Sequence, residues 1–494
     1  MVYFIKLSIM IKRRDSDLVP LSIVFIAIWV IVLMPFRIIG YGFLPMDDAL
    51  WHSAKVISGK SWGDVLVLRN DIKIESHPGW HFILGLVHDI TKCDTHSLVL
   101  FSVISLFILF TIIPIFFLRY PEAWLSSLLV ISVAIPGWFF RLLLGRPYIV
   151  TMAVLLCIFL LWPKLKDKKV SYPALIIATI LIAISTWVHR TFYILLIPIA
   201  AFLLAREWKA SIRMIICTIT GVFIGAAITG HPVLFIKQTI LHLALISGSY
   251  ATQDMLVTEL RSMTGDFTVV TLVACMLFWR ALRGRWDKNV IDNPLFIMGL
   301  LSFVVGLITR RIWLDVGIPA AVLWAAKEFE DFFSVKIKIA SLQRFFFVVI
   351  LAGVLYLSVT TDAGGRWTTY RPQDYILAQD PDQANWLPGP GGILYSYDMG
   401  LFFKTVYKNP HGNWRYILGP EAAIMPQEDL KILRDIQQNR LTYKSFEPWV
   451  KKMRAQDRLI IGSDENHVPK IKELEWKYAA FGTWIGRKPK SPQK

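Results

Sequence analysis

The sequence predicts an α-helical polytopic membrane protein with a small C-terminal α/β domain, and three observations lead there. The 494 residues are 55% hydrophobic and only 18% charged, with a mean hydropathy of +0.51. Apolar runs long enough to cross a bilayer recur from the N-terminal region to about Thr361. Beyond that point the apolar segments become short and alternate with helical patterns. A soluble fold would have to hide all this surface in one core, and cores stop growing near about 250–300 residues. Lipid is the simpler solvent.

A span needs roughly 20 predominantly apolar residues, and by that criterion about eleven candidates follow one another. They centre near Ile28, Leu106, Val130, Leu155, Ile180, Leu196, Thr220, Val273, Phe303, Leu323 and Gly353. Pro136-Gly137 interrupts the third, and only Trp187-Val188-His189-Arg190 separates the fifth from the sixth. Met1 to Asp17 carries Lys12, Arg13 and Arg14 before the first run and shows no small-residue cleavage site, so it reads as the lead into a retained span.

Alternate connections carry clustered positive charge: Lys12/Arg13/Arg14, Lys164/Lys166/Lys168/Lys169, Arg206/Lys209/Arg213, Arg280/Arg283/Arg285/Lys288 and Lys336/Lys338/Arg344. All fall on one side for this number of spans, and the positive-inside rule makes that side cytoplasmic. The N-terminus is then cytoplasmic and the C-terminal domain extracytoplasmic. Compact loops point weakly to a bacterial inner membrane.

Residues 1–361 form the expected transmembrane domain, with long outer loops at about 42–96 and 231–266, well beyond the usual 2–8 residues between packed helices. Within the first loop, Asp47 to Ser58 and Gly79 to Ile90 read as short amphipathic surface helices. Residues 362–494 form the extracytoplasmic α/β domain. Strands are expected at Gly392 to Tyr397, Trp414 to Leu418, Arg458 to Gly462 and Tyr478 to Ile485. Helices are expected at Leu401 to Val406, Glu428 to Gln438, Phe446 to Arg454 and Val468 to Glu475. No internal repeat, GxGxxG or P-loop occurs.

Composition also excludes several functions. The formal charge of +17 would suit an anionic partner, but the Lys and Arg residues lie between apolar runs and form no basic patch interleaved with aromatics. Nucleic acid is therefore not an expected partner. Cys93, Cys157, Cys217 and Cys275 contain no CxxC pair, which argues against a Cys-based zinc site or a disulfide framework. No Asp, Glu, Lys or Arg is read at the middle of a span, where such residues mark ion or proton pathways.

Polar chemistry gathers instead at the outer boundary. Just past the first span runs Leu44-Pro45-Met46-Asp47-Asp48-Ala49-Leu50-Trp51-His52. Adjacent carboxylates repel and resist desolvation unless a cation or substrate offsets them. Asp47 or Asp48 is the candidate catalytic residue, a general base toward an acceptor hydroxyl or amine. The bland alternative is that Asp47 caps the following helix.

Outward-facing positive charge opposes the topology rule at Arg69, Lys73, Arg141, Arg146, His189, Arg190, Lys237, Arg261, Arg310 and Arg311. Guanidinium forks suit phosphate oxygens, so the set reads as a cradle for a lipid-linked phosphate. Pairing with Asp315 or Glu259 is the alternative for individual members. In Glu75-Ser76-His77-Pro78-Gly79-Trp80-His81 the histidines stand at i and i+4, which would suit a metal on a helix. Pro78-Gly79 argues against a regular helix there, so a polar turn beside the acidic pair is expected, with His52 as a third polar contact and no metal. Trp51, Trp62, Trp80, Trp138, Trp187 and Trp313 read as an interfacial belt.

The first span, the long outer loop opening on Asp47-Asp48, the paired surface helices, the further spans and the C-terminal outer domain together resemble GT-C glycosyltransferases. Protein O-mannosyltransferases and lipid A aminoarabinose transferases belong to that class. The resemblance covers the architecture of nearly the whole chain, and the acidic pair is the motif that matches; many relatives have Asp-Glu where this chain has Asp-Asp. By position Asp47 matches the family's first acid. Arg310-Arg311 with Trp313 and Pro319 is similar to the Arg-rich end of a late span that contacts the carrier phosphate in relatives.

What the resemblance implies is transfer of a sugar from a polyprenyl-phosphate carrier to an acceptor glycan, lipid or protein on the extracytoplasmic face, without an obligatory cofactor. Arg141, Arg146, Arg190, Arg310 and Arg311 would then hold the phosphate leaving group. Two other readings stand beside it. One is a lipid-linked glycan ligase or polymerase using the outer Arg and His residues. The other is a lipid-glycan transporter.

Overall fold

The computed structural model describes residues 18–247, 263, 267–282, 284, 292–337, 341–371, 375–439, 441–463, 465–479 and 482–489. Lys12, Arg13, Arg14, Glu259, Arg261, Arg283, Arg285, Lys288, Lys338 and the reading of Met1 to Asp17 lie outside the described residues. Contacts divide the chain into two compact units. The described part of the first comprises residues 18–43, 102–230 and those from 263 to 369; that of the second comprises 44–101, 231–247 and those from 370 onward.

Every expected span centre falls in a helix: Leu18–Ile39, Thr95–Ile112, Pro121–Ala134, Tyr148–Lys166, Tyr172–Val188, Leu196–Leu204, Trp208–Ala227, Phe267–Leu282, Pro294–Gly306, Ile318–Lys336 and Leu342–Thr360. Among the described residues 5 helices are long and apolar enough to cross a membrane, and the bent pair Pro121–Ala134 and Pro136–Leu142 makes up to 6. The interruption expected at Pro136-Gly137 is a bend of 113°. Proline supplies no amide to the preceding turn, so one helix ends at Ala134 and a new one starts with Pro136 in its first turn.

In the first unit, apolar side chains also point outward. Phe25 is 63% exposed and Ile219 67% exposed, which suits a surface solvated by hydrocarbon and would be costly in water. Leu18–Ile39 packs on Leu342–Thr360, and Pro121–Ala134 packs on Ile318–Lys336. Tyr172–Val188 packs on Trp208–Ala227 through Gly221 and Gly225, spaced as small residues are where membrane helices approach closely. A Cβ on Gly225 would stand 2.5 Å from the Ala183 carbonyl oxygen. Backbone cannot rotate aside, so Gly225→Ala is expected to cost about 1–3 kcal/mol, read as a lowered unfolding midpoint in detergent; an unchanged midpoint would contradict the close approach.

Several charges expected to mark loops are buried instead. Arg344 donates to Glu122 at 2.5 Å and 2.9 Å, with the side chains 2% and 0% exposed, and its guanidinium lies 4.7 Å from the Tyr120 ring centroid. Arg280 pairs with Glu328, which is buried within Ile318–Lys336. Glu328 lies toward the C-terminal end of that helix, and Arg280 is in the last turn of Phe267–Leu282. The buried carboxylate persists there because Arg280 supplies the opposite charge. The tryptophan belt is also corrected. Trp51, Trp62, Trp80, Trp138 and Trp313 are buried in protein, and ring contacts hold Trp51, Trp138 and Trp313.

The second unit contains a five-stranded sheet: β1 (Ile393–Ser396), β2 (Arg415–Tyr416), β3 (Arg458–Gly462), β4 (Glu475–Tyr478) and β5 (Thr483–Arg487). The order is β2-β1-β3-β5-β4. β1 runs parallel to β2 and β3, while β5 is antiparallel to β3 and β4. The helix Met399–Lys408 starts at Asp398, whose carboxylate accepts the Gly400 N–H at 2.7 Å. The helix Gln427–Gln438 buries Leu433 and Ile436 in a core with Tyr395, Phe446, Trp449 and Leu459.

Two expectations fail at the end of the chain. Tyr478 to Ile485 is not one strand but the arms of a hairpin, β4 and β5, with Gly482 at φ 66° between them. Val468 to Glu475 is not a helix. Pro469 removes a backbone donor, and Trp476 on β4 covers Gly486 on β5.

The tail does not build this unit alone. Leu66 pairs in parallel with Tyr416 beside β2, and the Val67 N–H donates to the Tyr416 carbonyl at 2.9 Å. Within the second expected loop, Pro232–Ser247 is a helix. Its Gln238 side chain accepts the Lys73 and Ile74 amides at 2.9 Å and 3.0 Å, and His242 pairs with Glu421 at 2.8 Å.

Candidate functional site

The second unit holds the acidic pair and the histidines. Asp47 occupies the N-cap position of the helix Asp48–Ser58, with φ −143° and ψ −142°, and its side chain makes no capping hydrogen bond. The capping role that would explain this carboxylate is therefore not realised. Asp48 sits in the first turn, and both acids are half-buried. His52 stands four residues after Asp48, which puts both on one helix face, and it is 2% exposed.

The surface helix expected over Gly79 to Ile90 is present, and His77 lies outside it, so the two histidines do not share a regular helix. Pro78–Thr91 is helical, with His77 at the N-cap. Proline at the first helical position loses an N–H that has no partner inside the helix anyway, and its φ is already helical. His77 and His81 are thereby brought to one helix end, and both reach His52. The His77 and His81 rings each lie 4.9 Å, centroid to centroid, from the His52 ring. His52 Nδ1 and His81 Nε2 are 2.7 Å apart, and His81 Nδ1 meets the Glu75 carboxylate. Burial would raise the Glu75 carboxyl, but the attraction and contact of His81, with the Lys55 charge behind it, hold it below the usual carboxylate range.

Among the described residues no three His, Cys, Asp or Glu side chains are arranged to hold a metal ion. Arg69 is held by its own neighbour, donating to both Asp71 carboxylate oxygens at 3.0 Å and 2.8 Å. Lys73 and Lys237 are exposed.

The first unit holds most of the expected arginines. Pro136–Leu142 carries Arg141 in its last turn, and Tyr148 opens the following helix. The Tyr148 hydroxyl donates to the Arg141 carbonyl at 2.8 Å, and its ring lies 4.5 Å from the Arg141 guanidinium. Arg141 Nε donates to Asp315 at 2.6 Å, and Arg311 Nε donates to the other oxygen of the same carboxylate at 3.3 Å. Asp315 is presented by a wide π-helical turn, Trp313–Gly317, a feature frequent at functional sites.

Arg311 Nη2 lies 3.2 Å from His189 Nε2. Guanidinium can only donate, so Nε2 accepts and the ring proton resides on Nδ1. That nitrogen faces the Thr191 hydroxyl at 2.6 Å and the Thr151 hydroxyl at 3.1 Å. The Asp315 pairing weighed as the alternative for single arginines is thus realised for Arg141 and Arg311. Arg190 is buried, Arg146 half-buried and Arg310 exposed. Tyr148, Thr151 and Thr191 were not found from sequence, since each is an ordinary residue of an apolar helix or turn until folding sets it against a charged one.

No protein-family model and no curated protein matches this sequence. Solved structures do resemble it. The crystal structure of ArnT from Cupriavidus metallidurans bound to undecaprenyl phosphate is 13% identical, covering 94% of this chain and 97% of that one, at a TM-score of 0.55. The apo structure of the same protein is 13% identical over the same shares of the chains, at a TM-score of 0.52. ArnT is a lipid A aminoarabinose transferase of the GT-C superfamily. Identity this low speaks to fold alone: the chain shares the fold of ArnT over nearly its whole length.

Proposed function

We propose that the protein is a membrane glycosyltransferase that moves a sugar from a polyprenyl-phosphate carrier to an acceptor on the extracytoplasmic face. The observation that carries this reading is the Arg141–Asp315–Arg311–His189 set, which brings together side chains from three separate stretches of the chain in a fold shared with ArnT. One carboxylate shared by two guanidiniums keeps them fixed while leaving net positive charge for a phosphate. That the ArnT structure holds undecaprenyl phosphate supports a carrier of this type. The chain then crosses the bilayer about eleven times, with the N-terminus cytoplasmic and the C-terminal domain outside.

In the reaction Asp47 or Asp48 takes the proton of the acceptor hydroxyl or amine as that atom bonds to the anomeric carbon. The bond from that carbon to the phosphate oxygen breaks, and the electron pair stays on phosphate. Negative charge grows on the leaving group, where arginine stabilises it. The remaining candidates Arg146, Arg190 and Arg310 belong to the same role, and His52 and His77 to the surroundings of the acids.

The test supplies membranes with radiolabelled sugar on a polyprenyl-phosphate pool or on a nucleotide. Label should reach acceptor only from the lipid-linked pool; transfer directly from the nucleotide would remove the reading. Arg141→Ala is expected to lower turnover by about 10²–10³-fold. Arg69→Ala removes only a guanidinium already paired with Asp71 and should change turnover by less than about twofold. A second reading, a ligase or polymerase acting on a lipid pyrophosphate, is favoured by His189 lying against Arg311. It predicts inactive arginine variants beside active Asp47 and Asp48 variants.

A further inference from the structure

Glu75, His81 and His52 form a continuous line of polar contacts that the transfer reaction itself does not call on. His81 meets Glu75 through Nδ1 and His52 through Nε2, the latter at 2.7 Å. His81 is 8% exposed and His52 2%, so the two rings meet each other and the Glu75 carboxylate where water has little access. A neutral imidazole has one donor and one acceptor. A single choice of tautomer satisfies the line: His52 Nδ1–H donates to His81 Nε2, and His81 Nδ1–H donates to the Glu75 carboxylate. His52 Nε2 is then the acceptor at the far end, and His52 shares its helix face with Asp48, one turn earlier.

A histidine pair whose sole purpose was packing would not need this geometry, since apolar side chains of the same size fill such a space without leaving buried polar atoms to satisfy. We propose that Asp48, His52, His81 and Glu75 form a proton relay that carries the acceptor's proton away from the acidic pair. This rests on the glycosyltransferase reading and adds to it a route for the proton and a positioning role for three residues.

The steps balance. The acceptor O–H or N–H bond breaks and its proton passes to Asp48, directly or through Asp47. Asp48 then protonates His52 Nε2. The Nδ1 proton of His52 moves to His81 Nε2, and the Nδ1 proton of His81 moves to Glu75. Glu75, only half-buried, yields the proton to solvent. Once product has left and the site is open to water, a solvent proton enters at Glu75, the same hops run in reverse to restore both starting tautomers, and Asp48 gives its proton to water, so the acids are again carboxylates. No oxidant, metal or second substrate is required.

The experiment uses the full-length protein in membranes with the radiolabelled polyprenyl-phosphate sugar pool, and compares wild type with Glu75→Gln, Glu75→Asp and His81→Gln. Each variant is first checked for wild-type yield and thermal unfolding midpoint. The relay predicts that Glu75→Gln and His81→Gln lower kcat by about 10- to 100-fold while KM for the donor stays unchanged, and that Glu75→Asp restores most of the rate. Wild-type kcat in Glu75→Gln would overturn it. So would a raised KM with unchanged kcat, or equal loss in Gln and Asp variants accompanied by a lowered midpoint, either of which describes a merely structural contact. Absence of transfer by the wild-type protein would overturn the glycosyltransferase reading itself, whereas wild-type transfer with indifferent Glu75 variants overturns the relay alone.

Discussion

The Asp47→Asn/Asp48→Asn protein is expected to reach the membrane at normal yield and to transfer no measurable sugar. Asparagine keeps the size of aspartate, and Asp47 contributes no capping hydrogen bond whose loss would loosen the helix, so folding should be spared. What disappears is the carboxylate. Proton removal by a positioned base is worth about 10²–10⁴-fold, and the double variant also removes the second acid that could substitute. Single variants then assign the roles. If Asp48 feeds His52, Asp48→Asn should leave less activity than Asp47→Asn; if Asp47 is the base, as the resemblance to GT-C enzymes implies, the order reverses. Full activity in the double variant would move the chemistry to Arg141, Arg311 and His189 and favour the ligase reading.

Arg344→Ala is expected to be among the most destabilising single substitutions in the first unit, by about 3–5 kcal/mol. It leaves Glu122, whose side chain is 0% exposed, with a buried charge and without the two hydrogen bonds that Arg344 donates. It also strips the guanidinium from the Tyr120 ring. The measurement is the unfolding midpoint of purified protein in detergent. The informative companion is Arg344→Met with Glu122→Leu, which removes both charges and fills similar volume. That pair should recover most of the loss, because a buried ion pair replaced by apolar groups is often neutral or better. If Arg344→Ala alone leaves the midpoint unchanged, the pair is not buried in the membrane protein. Both substitutions lie outside the proposed site, so turnover per folded molecule should not change.

The candidate site was only partly legible before folding. Asp47 and Asp48 announced themselves because two adjacent acids beyond an apolar run have few bland explanations, and Arg141, Arg190 and Arg311 because they broke the charge rule. Asp315 could be named as a partner for single arginines, but not that two of them would share it. Asp315 is 174 residues from Arg141, and nothing in the local pattern of Trp313-Leu314-Asp315-Val316-Gly317 shows that a π-helical turn will aim its carboxylate at two arginines. Arg69 broke the same rule and proved to be paired two residues away with Asp71. Charge against topology therefore nominates residues, and pairing selects among them.

By itself the sequence determined the membrane class, the helix at each span centre, the break at Pro136 and the alternation of strand and helix in the tail. All of these follow from local composition, because the period of apolar residues and the missing amide of proline act within a few positions. Tertiary structure decided the rest. It split the last strand into a hairpin, set Arg344 and Arg280 against buried acids, and drew His52, His77, His81 and Glu75 into one cluster. Each of those outcomes depends on a partner far along the chain, and burial in low dielectric makes such partners worth more than any local preference.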